Sequence, residues 1–184
     1  MKFKNLERYL NSFGKQIVKQ SVANLSAADK KGALANSIDF FVIKKGKSLT
    51  IRFKMAKYGQ FVDKGVSGTD VKRSYKDYKG KTRKSPFKYT TKQPPSGIIE
   101  KWIKRKGLKG RVDKKWKSAG NRGGQFITNK SFAFLIAKSI KKKGIQGISF
   151  FQKPLMLGMK TYNQKFSKAL QQDILENLRK NKIA

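Results

Sequence analysis

Positive charge is the feature that most constrains this chain. Lysine and arginine together number 45, aspartate and glutamate together number 10, and the formal net charge is +35. An unpaired charge of this size repels itself, so the folded chain needs anions around it. Because only ten side chains are available for internal ion pairs, polyanions are the expected partners.

The chain still carries enough apolar side chains to fold. Leu, Ile, Val and Phe make up about 25% of the 184 residues, above the roughly 20% under which a highly charged chain stays disordered. The length favours a single domain over residues 1–184. The longest apolar run, 132–137, is far shorter than the roughly 20 residues that cross a bilayer, so we expect no membrane contact and synthesis in a cytoplasm.

The absence of cysteine and histidine excludes several kinds of catalytic and metal site. The sequence has no Cys and no His, which excludes disulfides, Cys/His zinc sites, cysteine nucleophiles and Ser-His-Asp catalysis. Asp63, Asp70 and Asp77 recur every seven residues, but Gly65 and Gly68 interrupt any helix that would align them. We expect these carboxylates to be solvated partners of nearby lysines. The prediction is a protein that is not an enzyme, with no catalytic residues, no bound metal and no cofactor.

Hydrophobic periodicity predicts an α+β fold. Apolar residues at steps of three and four predict an amphipathic helix over 3–25. Alternation over 37–44 and 49–55 predicts a β-hairpin turning at 45–47, and 58–62 suits a short helical turn that Gly65 stops.

The second half of the chain mixes basic loops with helices. Residues 66–95 show no apolar period and are either an extended loop or an insertion that orders on a partner. A helix is expected from an N-cap at Ser96 to about Gly107, followed by a second basic loop over 109–122. The expected core helix, 131–143, buries its face of Phe132, Leu135, Ile136, Ser139 and Ile140. Phe150 and Phe151 are expected in a short extended segment, and a last helix over 161–180. The fold class predicted is therefore a small antiparallel sheet with a β-hairpin, flanked by N-terminal, central and C-terminal helices, with a long basic loop.

The candidate binding residues are basic side chains concentrated in one quarter of the chain. Between Lys72 and Lys117 there are 18 basic and 3 acidic residues, with tyrosine and tryptophan interleaved. The alternative to contact with a polyanion is a solvated basic loop. The predicted contact residues are Lys72, Arg73, Lys76, Lys79, Lys81, Arg83, Lys84, Lys88, Lys92, Lys104, Arg105, Lys106, Lys109, Arg111, Lys114 and Lys115. Only eight of the basic residues are Arg, and lysine attracts phosphate without discriminating bases, so contact with nucleic acid is expected to be non-specific.

Several short motifs follow one another along the chain. Gly32-Ala33-Leu34-Ala35-Asn36-Ser37-Ile38 precedes the hairpin, Tyr58-Gly59-Gln60-Phe61-Val62-Asp63-Lys64-Gly65 follows it, and Pro94-Pro95 leads into Ile99 and Trp102-Ile103. Ala133, Ile136-Ala137, Ser139-Ile140, Gly144-Ile145 and Phe150 complete the series. This succession resembles the tail-completion proteins of tailed bacteriophages, also called neck or head-tail joining proteins. The chain departs from that pattern in the basic stretch between Gly68 and Pro94 and in its extreme charge.

The resemblance implies a structural virion protein located in the neck, between capsid portal and tail, and in the host cytoplasm during assembly. It implies a homo-oligomeric ring, commonly of six copies, around a passage for double-stranded DNA, with portal or connector and tail proteins as partners. Carried over by position, Gly32, Leu34, Ser37 and Ile38 would start the first strand. Tyr58 and Gly65 would fix the turn after the second strand, and residues 136–140 would lie along the core helix.

The positive charge on a ring of six copies would far exceed the phosphate charge of the DNA inside it. Six copies at +35 each carry about 210 positive charges, whereas the DNA threading one ring about 40 Å deep offers only about 24 phosphates. We therefore expect acidic neighbouring proteins, or nucleic acid outside the lumen, to meet the basic loops. The alternatives to a neck protein are a non-specific nucleic-acid-binding protein of ribosomal or nucleoid type, which the composition alone favours, and a nuclease, for which the carboxylates are scarce.

Overall fold

The structure is a computed structural model that describes residues 3–28, 32–46, 48–112 and 123–181. These residues form six helices and four strands, and the strands pair into two antiparallel two-stranded sheets. The predicted α+β class is confirmed. The chain divides into two compact units, a first unit of residues 1–64, 74–83 and 147–184 and a second unit of residues 65–73 and 84–146. That residues 1–184 form a single domain stays a prediction.

The elements follow one another in a simple order. The helices are α1 Lys4–Ala27, α2 Ala33–Asn36, α3 Gly59–Lys64, α4 Ser96–Lys106, α5 Asn129–Lys143 and α6 Gln152–Asn181. The strands are β1 Asp39–Lys45, β2 Ser48–Lys54, β3 Ser74–Lys76 and β4 Thr82–Lys84.

Helix α1 supplies the core of the first unit, as its periodicity predicts. Leu6, Leu10, Phe13, Ile17 and Leu25 lie on one buried face, and lysines, arginine and amides occupy the other. Spacings of three and four residues place these side chains in one stripe along the helix. The stripe packs against α6 and against the β1–β2 hairpin.

Helix α6 is longer than its sequence predicts. It begins at Gln152 rather than near 161, and Phe150 and Phe151, expected in an extended segment, form the buried turn before it. Pro154 lies in the first turn, where a missing N–H costs nothing. Gly158 faces α1, since a Cβ there would stand 2.8 Å from Cε2 of Phe13. The two helix-breaking residue types therefore serve the start and the packing of this helix.

Two buried aspartates cap the starts of α1 and α6. The carboxylate of Asp173 accepts hydrogen bonds from the backbone N–H groups of Asn5 and Leu6, each at 2.9 Å. Asp63 accepts the N–H of Phe151 at 2.9 Å, at the start of α6. Because Asp173 lies late in α6 and meets the start of α1, the two helices run antiparallel. Each carboxylate satisfies N–H groups that a helix leaves unpaired at its first turn.

The predicted hairpin is present, with strands shifted by one or two residues. Strands β1 and β2 pair in a register that sets Phe40 opposite Phe53 and Val42 opposite Ile51 on one face. A Cβ at position 14 would overlap the ring of Phe40, so Gly14 lets the sheet approach α1 closely.

The structure corrects one assignment made on the tail-completion resemblance. Gly32, Leu34, Ser37 and Ile38 precede β1, which starts at Asp39; Leu34 lies in α2, with Gly32 and Ser37 flanking it. The short helical turn predicted over 58–62 is confirmed as α3, Gly59–Lys64, and Gly65 ends it with a φ of 73°.

The second unit is built on the packing of α4 against α5. The fully buried residues there are Ile103, Ala133 and Ala137. The predicted buried face of α5 is therefore wrong for Leu135 and Ser139, which are exposed. Small alanines let the two helices approach closely, so the buried stripe follows the alanines rather than the large apolar residues.

Helix α5 is capped at both ends, and α4 at its C-terminal end. Thr128 accepts the N–H of Ser131 at the start of α5, and the backbone N–H groups of Thr69 and Asp70 donate to the last carbonyls of α5. Helix α4 starts at Ser96 itself, so the predicted N-cap position is Pro95 instead, without a side-chain cap. The helix ends at Gly107, as expected, where φ is 64°.

We expect Asp173→Asn to destabilise the protein by about 1–3 kcal/mol, because an amide cannot replace both carboxylate oxygens that face backbone donors. Glu176→Gln removes the same charge from an exposed site on the same helix, where the side chain accepts only from the Asn5 amide. Its expected cost is within about 0.5 kcal/mol. Urea titrations of both variants measure the difference, and equal midpoints would contradict the capping role.

Candidate polyanion-binding surface

The described part of the chain holds eight carboxylate side chains, and three of them are buried: Asp63, Asp77 and Asp173. The expectation that Asp63, Asp70 and Asp77 are solvated partners of lysines is therefore wrong for Asp63 and Asp77. Only Asp70 is exposed, where it accepts from the hydroxyl of Thr69. The buried acids accept mainly from backbone N–H groups and from the Asn5 amide, and among the described residues they form one ion pair, with Arg83, so they leave the surface lysines unneutralised.

Two opposing effects act on the pKa of Asp63. Burial raises the pKa of its carboxyl, and the N–H donors of Phe151 and Gln152 oppose that shift by stabilising the charged form. The positive charge of the adjacent Lys64 also opposes the upward shift of the pKa, and it is the smallest of these effects. The carboxylate serves α6 and does not project into solvent.

Asp77 organises the hairpin formed by β3 and β4. One carboxylate oxygen accepts the backbone N–H groups of Lys79 and Lys81, each at 2.9 Å, and the other accepts Nε of Arg83 at 2.9 Å. Gly80, with a φ of 79°, completes the turn. A single acid thus fixes both the turn and the following strand.

The Asp77–Arg83 pair has a defined electrostatic effect. The guanidinium of Arg83 lowers the pKa of Asp77, chiefly through its hydrogen bond and with help from the N–H groups of Lys81 and Lys79. Arg83 is itself exposed, so its guanidinium remains accessible to solvent while it pairs with Asp77.

The hairpin presents a compact basic surface in the first unit. Its cations, Lys76, Lys79, Lys81 and Arg83, are all exposed. Tyr78 is 40% exposed, and the ammonium of Lys79 lies 5.6 Å from its ring centre. A rigid turn that carries lysines and an accessible aromatic ring suits contact with a phosphate backbone. We call these four residues the hairpin cations.

Periodicity alone does not predict strands β3 and β4. Each is three residues long, and β4 consists of Thr82, Arg83 and Lys84 with no apolar side chain. The signal available in the sequence is the acid followed three residues later by glycine, Asp77 and Gly80, which is typical of a tight turn.

A second group of predicted residues lies at the end of α4, in the second unit. Lys104, Arg105, Lys106, Lys109 and Arg111 are exposed. Helix C-termini favour such cations because the last carbonyls carry partial negative charge.

Three of the cations at this end of α4, and an aromatic ring, have defined contacts. Lys104 forms an ion pair with Glu100 at 3.0 Å, one helical turn earlier. Lys109 and Arg111 both lie over the ring of Phe126, which is 57% exposed.

The remaining predicted residues are dispersed. Lys72, Lys84, Lys88 and Lys92 are exposed. Arg73 is half-buried and donates to the carbonyl of Lys143 and to the side chain of Gln146. Lys114 and Lys115, together with Trp116, lie outside the described residues.

The predicted contact residues omit a group of cations on α5. Lys138, Lys141 and Lys142 line a cavity of about 330 Å³ with Thr69, Thr90, Gln93 and Phe134. The ammonium of Lys141 donates to the carbonyl of Thr91 at 2.7 Å. The run Lys141 to Lys143 is visible in the sequence, where it indicates only a favourable charge at the helix end.

The described residues contain no group of three or more Asp, Glu, His or Cys side chains placed to hold a metal ion. Among the same residues, no helix is both long and apolar enough to cross a membrane. Comparison with protein-family models, with curated proteins and with solved structures found no match. The surface itself therefore carries the functional argument.

We expect the amide proton shifts of Lys79 and Lys81 to follow Asp77 with a midpoint below its ordinary 3.8. The lowered pKa means that Asp77 supports the hairpin fully above pH 3.8, and that this support is lost as pH falls through the lowered value. In Arg83→Gln the midpoint should rise towards 3.8, whereas the control Lys84→Gln should leave it low. An NMR titration measures this, and equal midpoints in wild type and Arg83→Gln would refute the pairing.

Proposed function

We propose that this chain is a structural subunit of the neck of a tailed bacteriophage, a tail-completion or head-tail joining protein that catalyses no reaction. In this proposal copies assemble into a ring, commonly of six, that lines or surrounds the passage for double-stranded DNA. The ring lies in the virion between portal and tail, and it contacts acidic portal, connector or tail proteins. The order of motifs along the chain, with its resemblance to this family, supports the identity of the assembly.

The observation that carries the proposal is the β3–β4 hairpin. Its single acid, Asp77, is buried and bound to the turn, so the hairpin cations have no other carboxylate within the hairpin to neutralise them. Lysine ammonium groups at this density attract phosphate without choosing a base, which suits DNA that must slide past. A grip on one sequence would obstruct passage.

The second candidate, a non-specific nucleic-acid-binding protein of ribosomal or nucleoid type, shares the same basic surface. The exposed Tyr78 beside Lys79 favours it as much as it favours the neck protein, because stacking on a base does not require a ring of subunits. The two functions differ in whether the chain assembles into a ring.

We expect light scattering during size-exclusion chromatography to detect a ring, either of the chain alone, at six times its 20.9 kDa for six copies, or on added portal protein. A subunit of a closed ring buries complementary surfaces on both neighbours, so assembly should be cooperative with concentration. A species that remains monomeric at all concentrations and with portal protein, yet binds DNA, would favour the second candidate.

The contribution of the hairpin is testable by its salt dependence. The triple variant Lys76→Gln, Lys79→Gln, Lys81→Gln should weaken binding to duplex DNA. It should also make the plot of log K against log salt less steep, by about 0.9 for each phosphate that the variant no longer neutralises. Wild type should bind two duplexes of unrelated sequence equally. Fluorescence anisotropy at several salt concentrations measures both.

The matched control removes three exposed lysines from the long helices, as Lys15→Gln, Lys19→Gln, Lys165→Gln. It lowers net charge by the same amount, so a slope as shallow as that of the hairpin variant would mean that total charge, and not the hairpin, governs binding.

A further inference from the structure

An apolar groove in the second unit is not used by the proposed DNA contact. It lies between α4 and α5 and has a volume of about 650 Å³. Ile98, Ile99 and Trp102 line one side, and Ile136 and Ile140 line the other. The sequence predicts that Ile136 and Ile140 lie in the core, but in the structure they are only half-buried.

The exposure of the groove is costly for a free chain. Ile98 is 68% exposed and Trp102 is 39% exposed, whereas Ile103, one turn after Ile99 on the same helix, is fully buried. Partners that cover such apolar side chains gain the free energy of removing them from water. Ile98 and Trp102 are one turn apart on α4, as Ile136 and Ile140 are on α5, and together they offer the parallel ridges that an amphipathic helix fills.

The rim of the groove is positively charged. Lys101 and Arg105 follow the apolar stripe on α4, one helical turn apart, and both line the groove. Both are exposed. The ion pairs among the described residues involve neither of them, since Glu100 pairs with Lys104. Within the described residues, no carboxylate lines the groove itself. An occupant that complements this rim carries acidic groups beside its apolar anchors.

We propose that this groove binds an acidic amphipathic helical segment of a partner protein. The apolar face of the segment lies on the isoleucines and on Trp102, and its carboxylates meet Lys101 and Arg105. Such binding goes beyond the proposed DNA contact, because it uses residues outside the hairpin cations and does not require that they bind DNA.

Two other occupants fit less well. A second copy of this chain has exposed Leu175 and Leu178 on α6, but the charges beside them are mixed: Glu176 already accepts from the Asn5 amide, and Arg179 would face Lys101 and Arg105 with like charge. Single-stranded nucleic acid prefers flat aromatic platforms, whereas the groove has four isoleucines and one indole ring. Aliphatic walls with a basic rim therefore favour an acidic segment of a partner protein over a second copy or a nucleic acid.

The test uses the full chain and a designed probe. The probe is a fluorescein-labelled peptide of about 16 residues with leucine at helical spacings i, i+3, i+4 and i+7 and glutamate elsewhere. Its control is a scrambled peptide of identical composition, which keeps the charge and loses the apolar face. We expect saturable binding of the probe and at least about tenfold weaker binding of the scrambled peptide in anisotropy titrations.

Variants locate the binding. Ile98→Ser with Trp102→Ala should weaken probe binding about tenfold or more, and Ile98→Ser alone, at a mostly exposed position, should weaken it without affecting the fold. The matched control Ile174→Ser with Leu178→Ser removes exposed apolar side chains from α6 and should leave binding unchanged. Lys101→Glu with Arg105→Glu should also weaken it.

The outcomes separate this inference from the proposed function. Equal binding of the probe and the scrambled peptide, or unchanged binding to the Ile98→Ser variants, would overturn the inference. Oligothymidine that displaces the probe and also loses affinity in those variants would overturn it in favour of nucleic acid. The hairpin triple variant should keep full probe binding, and the Ile98→Ser variant, which changes no charge, should keep duplex DNA binding, so either claim can fail alone.

Discussion

The fold of the first unit depends on buried carboxylates that accept backbone N–H groups. Asp173 binds the start of α1, Asp63 binds the start of α6, and Asp77 binds the turn of the β3–β4 hairpin. A buried charge is costly unless donors surround it, and the unpaired N–H groups of a helix start provide such donors together with a favourable dipole. Two of these acids, Asp173 and Asp63, thereby connect segments that lie far apart in sequence.

This use of the acids adds to the positive character of the surface. The chain has ten carboxylates against 45 cations, and a carboxylate committed to a helix start or a turn no longer neutralises the surface. The hairpin gives the clearest case, since the acid that orders it is turned inward while Lys76, Lys79 and Lys81 remain exposed. Internal stability and external positive charge therefore come from the same arrangement. A solution anion or a polyanionic partner has to supply what the fold does not.

Sequence periodicity predicts the elements that bury an apolar face and misses those held by polar contacts. Helix α1 is evident because its buried residues recur every three or four positions, whereas β4 has no apolar residue, and its geometry comes from Asp77 and Arg83. The caps of α1 and α6 join residues 168 and 88 positions apart, a pairing that no local pattern contains. The predicted buried face of α5 is wrong in part because close helix packing selects alanine over leucine.

The two proposed surfaces differ in how they respond to their surroundings. Contact between the hairpin cations and phosphate releases counterions, so it weakens steeply as salt rises. Burial of Ile98 and Trp102 under a partner removes apolar area from water, and salt screens only the part contributed by Lys101 and Arg105. A subunit equipped with both can hold a protein neighbour firmly at ionic strengths where DNA stays loosely attached and free to move. In the neck ring that we propose, this difference would let the assembly outlast each contact with the moving polymer.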